Sequence, residues 1–172
     1  MLDPRIVANT VLSRANRSGI ALTNLDIQKM LYLLHGEFLR QTRQPLVTGE
    51  FQAWEYGPVH RVLYDAFKSY KDGPIDGPAR RLDPIRRRYV ELPRLDDPMI
   101  EDFLDANLTR LLSIPTFKLV QITHAPGTPW SRTMEAGTKK TNLGMVISNE
   151  MIARHFEGAV VFGRAAKGMV AA

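Results

Sequence analysis

The chain has 172 residues, 44% hydrophobic and 24% charged, the usage of an ordinary globular protein and not of a disordered or membrane-spanning one. Its length suits a single domain over 1–172, and 23 Lys and Arg against 18 acids leave a net charge of +5, so an anionic partner is permitted without being required. Cysteine is absent, which removes disulfides and thiolate metal sites and fits a cytoplasmic location.

Taken in order, the elements begin at Asp3-Pro4, an N-capping acid followed by proline at the first helical position. No secretory signal is expected there, because charges interrupt the apolar stripe, and no run is long enough to span a membrane. Ile6, Val7, Val11, Leu12 and Ala15 keep helical spacing until Asn16–Gly19 stops it. Thr23 with Asp26 three residues on predicts a capping box, and Leu22 and Ile27 a hydrophobic staple. From Ile27 to Phe38 this second helix is apolar on more than one face, which predicts a central position.

Residues 45–57 lose the helical period and alternate, predicting a strand or extended arm. Pro58 is then read as the start of a third helix carrying Val59, Val62, Leu63, Ala66, Phe67 and Tyr70. Residues 71–95, rich in Pro and Gly, read as an irregular connector with a short strand at Tyr89–Leu92. A fourth helix opens at Asp96 or Asp97 before Pro98, and a fifth holds Phe117, Leu119, Val120 and Ile122 and ends before APGTPW. SRTMEAGTKKTNLGM, polar and glycine-bearing, reads as a loop. A last helix is signalled by Ser148 as N-cap and stops at Gly158, leaving 158–172 as a tail. The expectation is a mainly α fold, one compact domain of about six helices with one or two short β or extended segments.

Chemistry is sparse. The four histidines, His35, His60, His124 and His155, show no metal-ligand spacing, and there is no Walker A loop, GxGxxG or GxSxG. No metal, cofactor or catalytic residue is therefore proposed from the sequence, and the protein is read as not an enzyme. His124 could serve as a general base only with partners that its surroundings do not offer. The stronger reading is a helix C-terminal imidazole bonding free carbonyls, with Trp130 a buried or lid aromatic. Gly57-Pro58 permits a sharp turn and pins Trp54 and Tyr56 beside it, where they either pack inward or anchor an interface. Arg80, Arg81, Arg86, Arg87, Arg88 and Arg94 are either a solvated connector or an anionic contact surface for phosphate or for an acidic protein.

Together the segments "IVANTVL", "LTNLDIQKMLYLLHGEFL", "PLVTGEFQAWEYGPVHRVLYDAFKSY", "KLVQITHAPGTPWSRT" and "ISNEMIARHF" resemble the Panacea-domain antitoxins, SocA-like or phage-associated GepA-like, over most of 5–157. Only 71–95 aligns with nothing in that pattern. The resemblance implies the antitoxin of a bacterial or prophage type II toxin–antitoxin pair. It implies neutralisation of a cognate protein toxin, encoded by an adjacent gene, through direct contact, in some members by delivering it to an ATP-dependent protease. The toxin-binding candidates are Trp54, Tyr56, Gly57, Pro58, His60 and Arg61, with His124 and Trp130 structural or a second contact. A DNA-binding regulator using the Arg80–Arg94 connector is the alternative, set behind protein binding because no helix-turn-helix with a basic recognition helix is evident.

Overall fold

A computed structural model describes residues 1–137 and 145–158. Among the described residues there are seven α-helices and five short strands: α1 Pro4–Arg17, α2 Asn24–Thr42, β1 Phe51–Trp54, β2 Gly57–His60, α3 Arg61–Phe67, β3 Arg80–Asp83, β4 Arg88–Glu91, α4 Pro98–Leu112, α5 Thr116–His124, α6 Pro129–Gly137, β5 Met145–Ile147 and α7 Asn149–Gly158. The fold is mainly α, and none of the described helices is long and apolar enough to cross a membrane.

The helix starts are fixed by short-range chemistry. Asp3 accepts a hydrogen bond from the Arg5 backbone N–H ahead of Pro4, and Asp97 accepts from Met99 and Ile100 ahead of Pro98. Thr23 and Asp26 form a reciprocal capping box. Beyond that box α2 becomes the axis of the molecule: every residue from Ile27 to Leu39 is buried, and the helix touches α1, α3, α4, α5, α7 and β2. Burial on all sides explains the absence of a single apolar stripe. Gly36 lets α7 approach closely, since a methyl group there would overlap the Phe156 ring.

The three-stranded antiparallel sheet runs β2-β1-β5, with Phe51 opposite both His60 and Ile147. Phe51 and Ala53 are buried against the helices while Gln52 and Trp54 are half-buried, the alternation expected of a half-covered sheet. Phe51 meets Tyr32, His35 and His60 edge to face, at centroid distances of 5.2, 5.2 and 5.3 Å.

Four expectations are revised. Pro58 lies inside strand β2, and the third helix begins at Arg61, because Gly57 turns the chain back along β1 in a tight hairpin. The connector 71–95 contains the β3–β4 hairpin, with Arg80 opposite Glu91 and Asp83 opposite Arg88. Residues 131–137 of the expected loop are helical. Thr128 Oγ1 accepts from the Ser131 N–H at 3.2 Å just ahead of Pro129, which makes Pro129 the opening of α6 and not merely the end of α5. Met145 belongs to β5, and residues 138–144 of that loop and the tail beyond Gly158 lie outside the described residues.

Candidate functional site

The β1–β2 hairpin is clamped to the body from three sides. From α2, the Gln28 carboxamide oxygen accepts the His60 backbone N–H at 2.8 Å, and the Lys29 amine donates to the Pro58 carbonyl at 3.2 Å. From α6, the Trp130 indole N–H donates to the Trp54 carbonyl at 2.8 Å. His124 closes α5: Nδ1–H donates to the Val120 carbonyl at 2.8 Å, and the ring lies 4.0 Å from that of Trp130. The bond runs back one turn to a carbonyl within α5 and not to the free carbonyls of its last turn that were expected, and it places the imidazole against the hairpin turn.

Lys29 is fully buried, and burial lowers its pKa to about 7. Gly57 sits over it with φ +101°. A Cβ at Gly57 would stand 2.6 Å from the amine and 2.7 Å from His124 Cε1. His60 is also buried, its Nε2 at 2.9 Å from the Thr48 carbonyl, so Nε2 carries the proton; desolvation holds its pKa below the usual value. Gly57, Pro58 and His60 thus shape the hairpin from within and offer no accessible side chain to a partner.

What remains outside is a small aromatic and cationic patch. Tyr56 is 70% exposed at the turn. Trp54, half-buried, leans on Tyr64 at 4.9 Å, and the Arg61 guanidinium lies 5.8 Å from the Trp54 ring centroid while pairing with Asp65 at 2.9 Å. Trp54 is neither wholly inside nor wholly outside: the residue is half-buried, its indole N–H donates to Gln52 Oε1 at 3.0 Å, and its carbonyl is tied to Trp130. Tyr64, Gln28 and Lys29 also belong to this site, although the apolar pattern of the sequence did not point to them. Gln-Lys inside an otherwise apolar helix was the available signal, because a polar pair buried on all sides must have backbone partners.

Arg80, Arg81, Arg86, Arg87 and Arg88 are all exposed on the β3–β4 hairpin, away from this patch in the chain and in a separate two-stranded sheet. Among the described residues no group of three or more His, Asp or Glu could hold a metal ion.

The described residues thus form a helical scaffold that braces a short hairpin with buried polar groups and leaves an aromatic patch outside. The chain belongs to the antitoxin SocA-like, Panacea domain family, whose model matches residues 27–131, from the core of α2 through the hairpin to Ser131. It is 32% identical over 155 residues, 90% of this chain and 82% of the other, to the antitoxin SocA of Caulobacter vibrioides. No solved structure matches it.

Proposed function

We propose that this chain is the antitoxin of a bacterial or prophage pair and neutralises a protein toxin, the product of an adjacent gene, by direct binding in the cytoplasm, without turnover of any substrate. The observation that carries the reading is the hairpin. Its main chain is locked by Gln28, Lys29 and Trp130 while Tyr56 and Arg61 are exposed and Trp54 half-exposed beside them, residue types enriched at interface hot spots. A surface held rigid before contact loses less conformational entropy on binding, which favours affinity from a small patch.

The test is growth of cells expressing the neighbouring open reading frame, with wild type, Tyr56→Ala or Trp54→Ala/Arg61→Ala supplied in trans. Rescue by wild type and its loss in the variants, with purified variants melting within about 2 °C of wild type, is the expected outcome. Full rescue by a Trp54→Ala/Tyr56→Ala/Arg61→Ala protein would place the toxin contact elsewhere. Following toxin half-life in the same cells separates the two routes. Occlusion leaves it unchanged, and delivery to an ATP-dependent protease shortens it only when this chain is present.

A further inference from the structure

The β3–β4 hairpin has no role in the reading above. Its base is fastened and its length is free. The Asn9 side chain on α1 receives the Ala79 N–H at 2.7 Å and donates to the Ala79 carbonyl at 3.0 Å, and Arg5 reaches the Arg80 carbonyl at 3.4 Å. Beyond that clamp every residue from Arg80 to Glu91 is exposed except the half-buried Asp83 and Val90. An isolated two-stranded ribbon has little stability of its own, so a ribbon bare on both faces is expected to gain a partner.

Charge and shape describe that partner. Five arginines stand on the arm against Asp83 and Glu91. The register puts Arg80 on one face and Arg81 and Arg88 on the other, with Arg86 and Arg87 in the four-residue turn. Glu91 stands opposite Arg80 and Asp83 opposite Arg88, so the cations in excess are Arg81 on one face and Arg86 and Arg87 in the turn. A flat acidic protein surface would engage one face only; arginines on a face and around the tip suit two facing rows of phosphates. At the tip, Pro84 and Ile85 form an apolar point, Ile85 being 92% exposed and followed at once by three arginines. The turn is stiffened by Asp83, whose carboxylate accepts the Ile85 and Arg86 N–H groups, each at 3.0 Å, and lies 3.9 Å from the Arg86 guanidinium. Leu82 and Tyr89, 52% and 69% exposed, face the same side.

We propose that the β3–β4 hairpin is a DNA-binding arm, lying along a groove of duplex DNA with its arginines on the flanking phosphates and Pro84-Ile85 wedged at a base step. Two-stranded ribbons enter DNA grooves, and apolar side chains at such sites part base steps and kink the duplex. Four-residue strands reach about 13 Å, enough to follow about four base pairs. Duplex RNA is disfavoured because its deep, narrow major groove does not admit side chains in this way.

The experiment measures fluorescence anisotropy of a mixed-sequence duplex of about 30 base pairs against the full chain, over a salt series. Wild type should bind with a log–log salt slope of about −2.7 to −4.5, the range for three to five neutralised phosphates. Arg86→Ser/Arg87→Ser/Arg88→Ser should lose at least about tenfold in affinity at low salt and flatten the slope by about two to three. Ile85→Ser should keep affinity within about threefold but reduce the bend read by energy transfer between the duplex ends. Both variants should keep the wild-type melting temperature and, since the arm is separate from the Trp54–Tyr56–Arg61 patch, rescue growth as wild type does. No binding by wild type at about 50 mM salt, equal binding by the triple variant, or equal competition by duplex RNA overturns the proposal. Loss of growth rescue in the triple variant without any duplex binding overturns it in favour of an acidic protein partner. An unchanged bend in Ile85→Ser overturns the wedge.

Discussion

Gly57 carries three demands at once. Its φ of +101° lies where side-chain-bearing residues are strained, its Cα lies against the Lys29 amine, and the His124 ring blocks the other side. Gly57→Ala is therefore expected to destabilise by about 2–4 kcal/mol, the sum of left-handed strain and a contact in which backbone or ring must shift. Urea unfolding measures it, and a change below about 0.5 kcal/mol would mean that the hairpin turn is not held as described. A hydrophobic replacement at Trp130 probes the other brace. Trp130→Phe keeps most of the apolar area and removes the N–H to the Trp54 carbonyl, leaving a half-buried acceptor to solvent, so a loss of about 1 kcal/mol is expected. Growth rescue by Trp130→Phe should fall with it, because the patch is presented by the same strand.

At the scale of elements, the junction of α2 and α7 is the most sensitive to added bulk. Gly36→Ala raises helix propensity by about 1 kcal/mol, yet the added methyl overlaps the Phe156 ring, and overpacking of that kind costs about 1–3 kcal/mol. The melting temperature should therefore drop or stay level; a clear rise would show α7 seated farther out. The helices whose starts were legible in the sequence, α1, α2, α4 and α7, have N-caps within a few residues of the first turn, and Met151 N–H to Ser148 Oγ at 3.2 Å is one such signal for α7. Helix α6 uses the same chemistry at Thr128-Pro129 but follows a proline-rich break, so the local signal for stopping masked the one for starting. Strand β5 is three residues long and owes its conformation to pairing with β1 across about ninety residues of chain, which no local period records. The candidate site was legible as a segment, 54–61, but not in its division into buried and exposed members. That division depends on the partners α2 and α6 bring, and the pattern of 51–60 alone does not contain them.

For the molecule as a whole, the buried bases decide how stability depends on pH. His35 is enclosed at the centre of α2, Nε2 facing Asn149 Oδ1 at 2.9 Å, and desolvation lowers its pKa to about 4. Between about 6.5 and 4 the unfolded chain takes up a proton there that the folded chain refuses, so stability falls as pH falls through that window, by up to about 3 kcal/mol. His60 contributes with the same sign. Lys29 acts in the same direction on the alkaline side: with a folded value of about 7 against the ordinary 10.5, the unfolded state holds the extra proton between these limits. Stability should therefore climb from pH 7 towards 10.5 with a slope of up to about 1.4 kcal/mol per pH unit. Urea midpoints at pH 5, 7 and 9 should rise in that order. Lys29→Met should flatten the step from 7 to 9 and leave the step from 5 to 7 in place, because methionine fills the same channel without a group to titrate. A wild-type curve that is flat from 7 to 9 would mean that Lys29 keeps its charge when folded. The Pro58 carbonyl, the acceptor it reaches among the described residues, would then be supporting an ammonium in a dry site, and the hairpin brace would rest on water that has entered beside it.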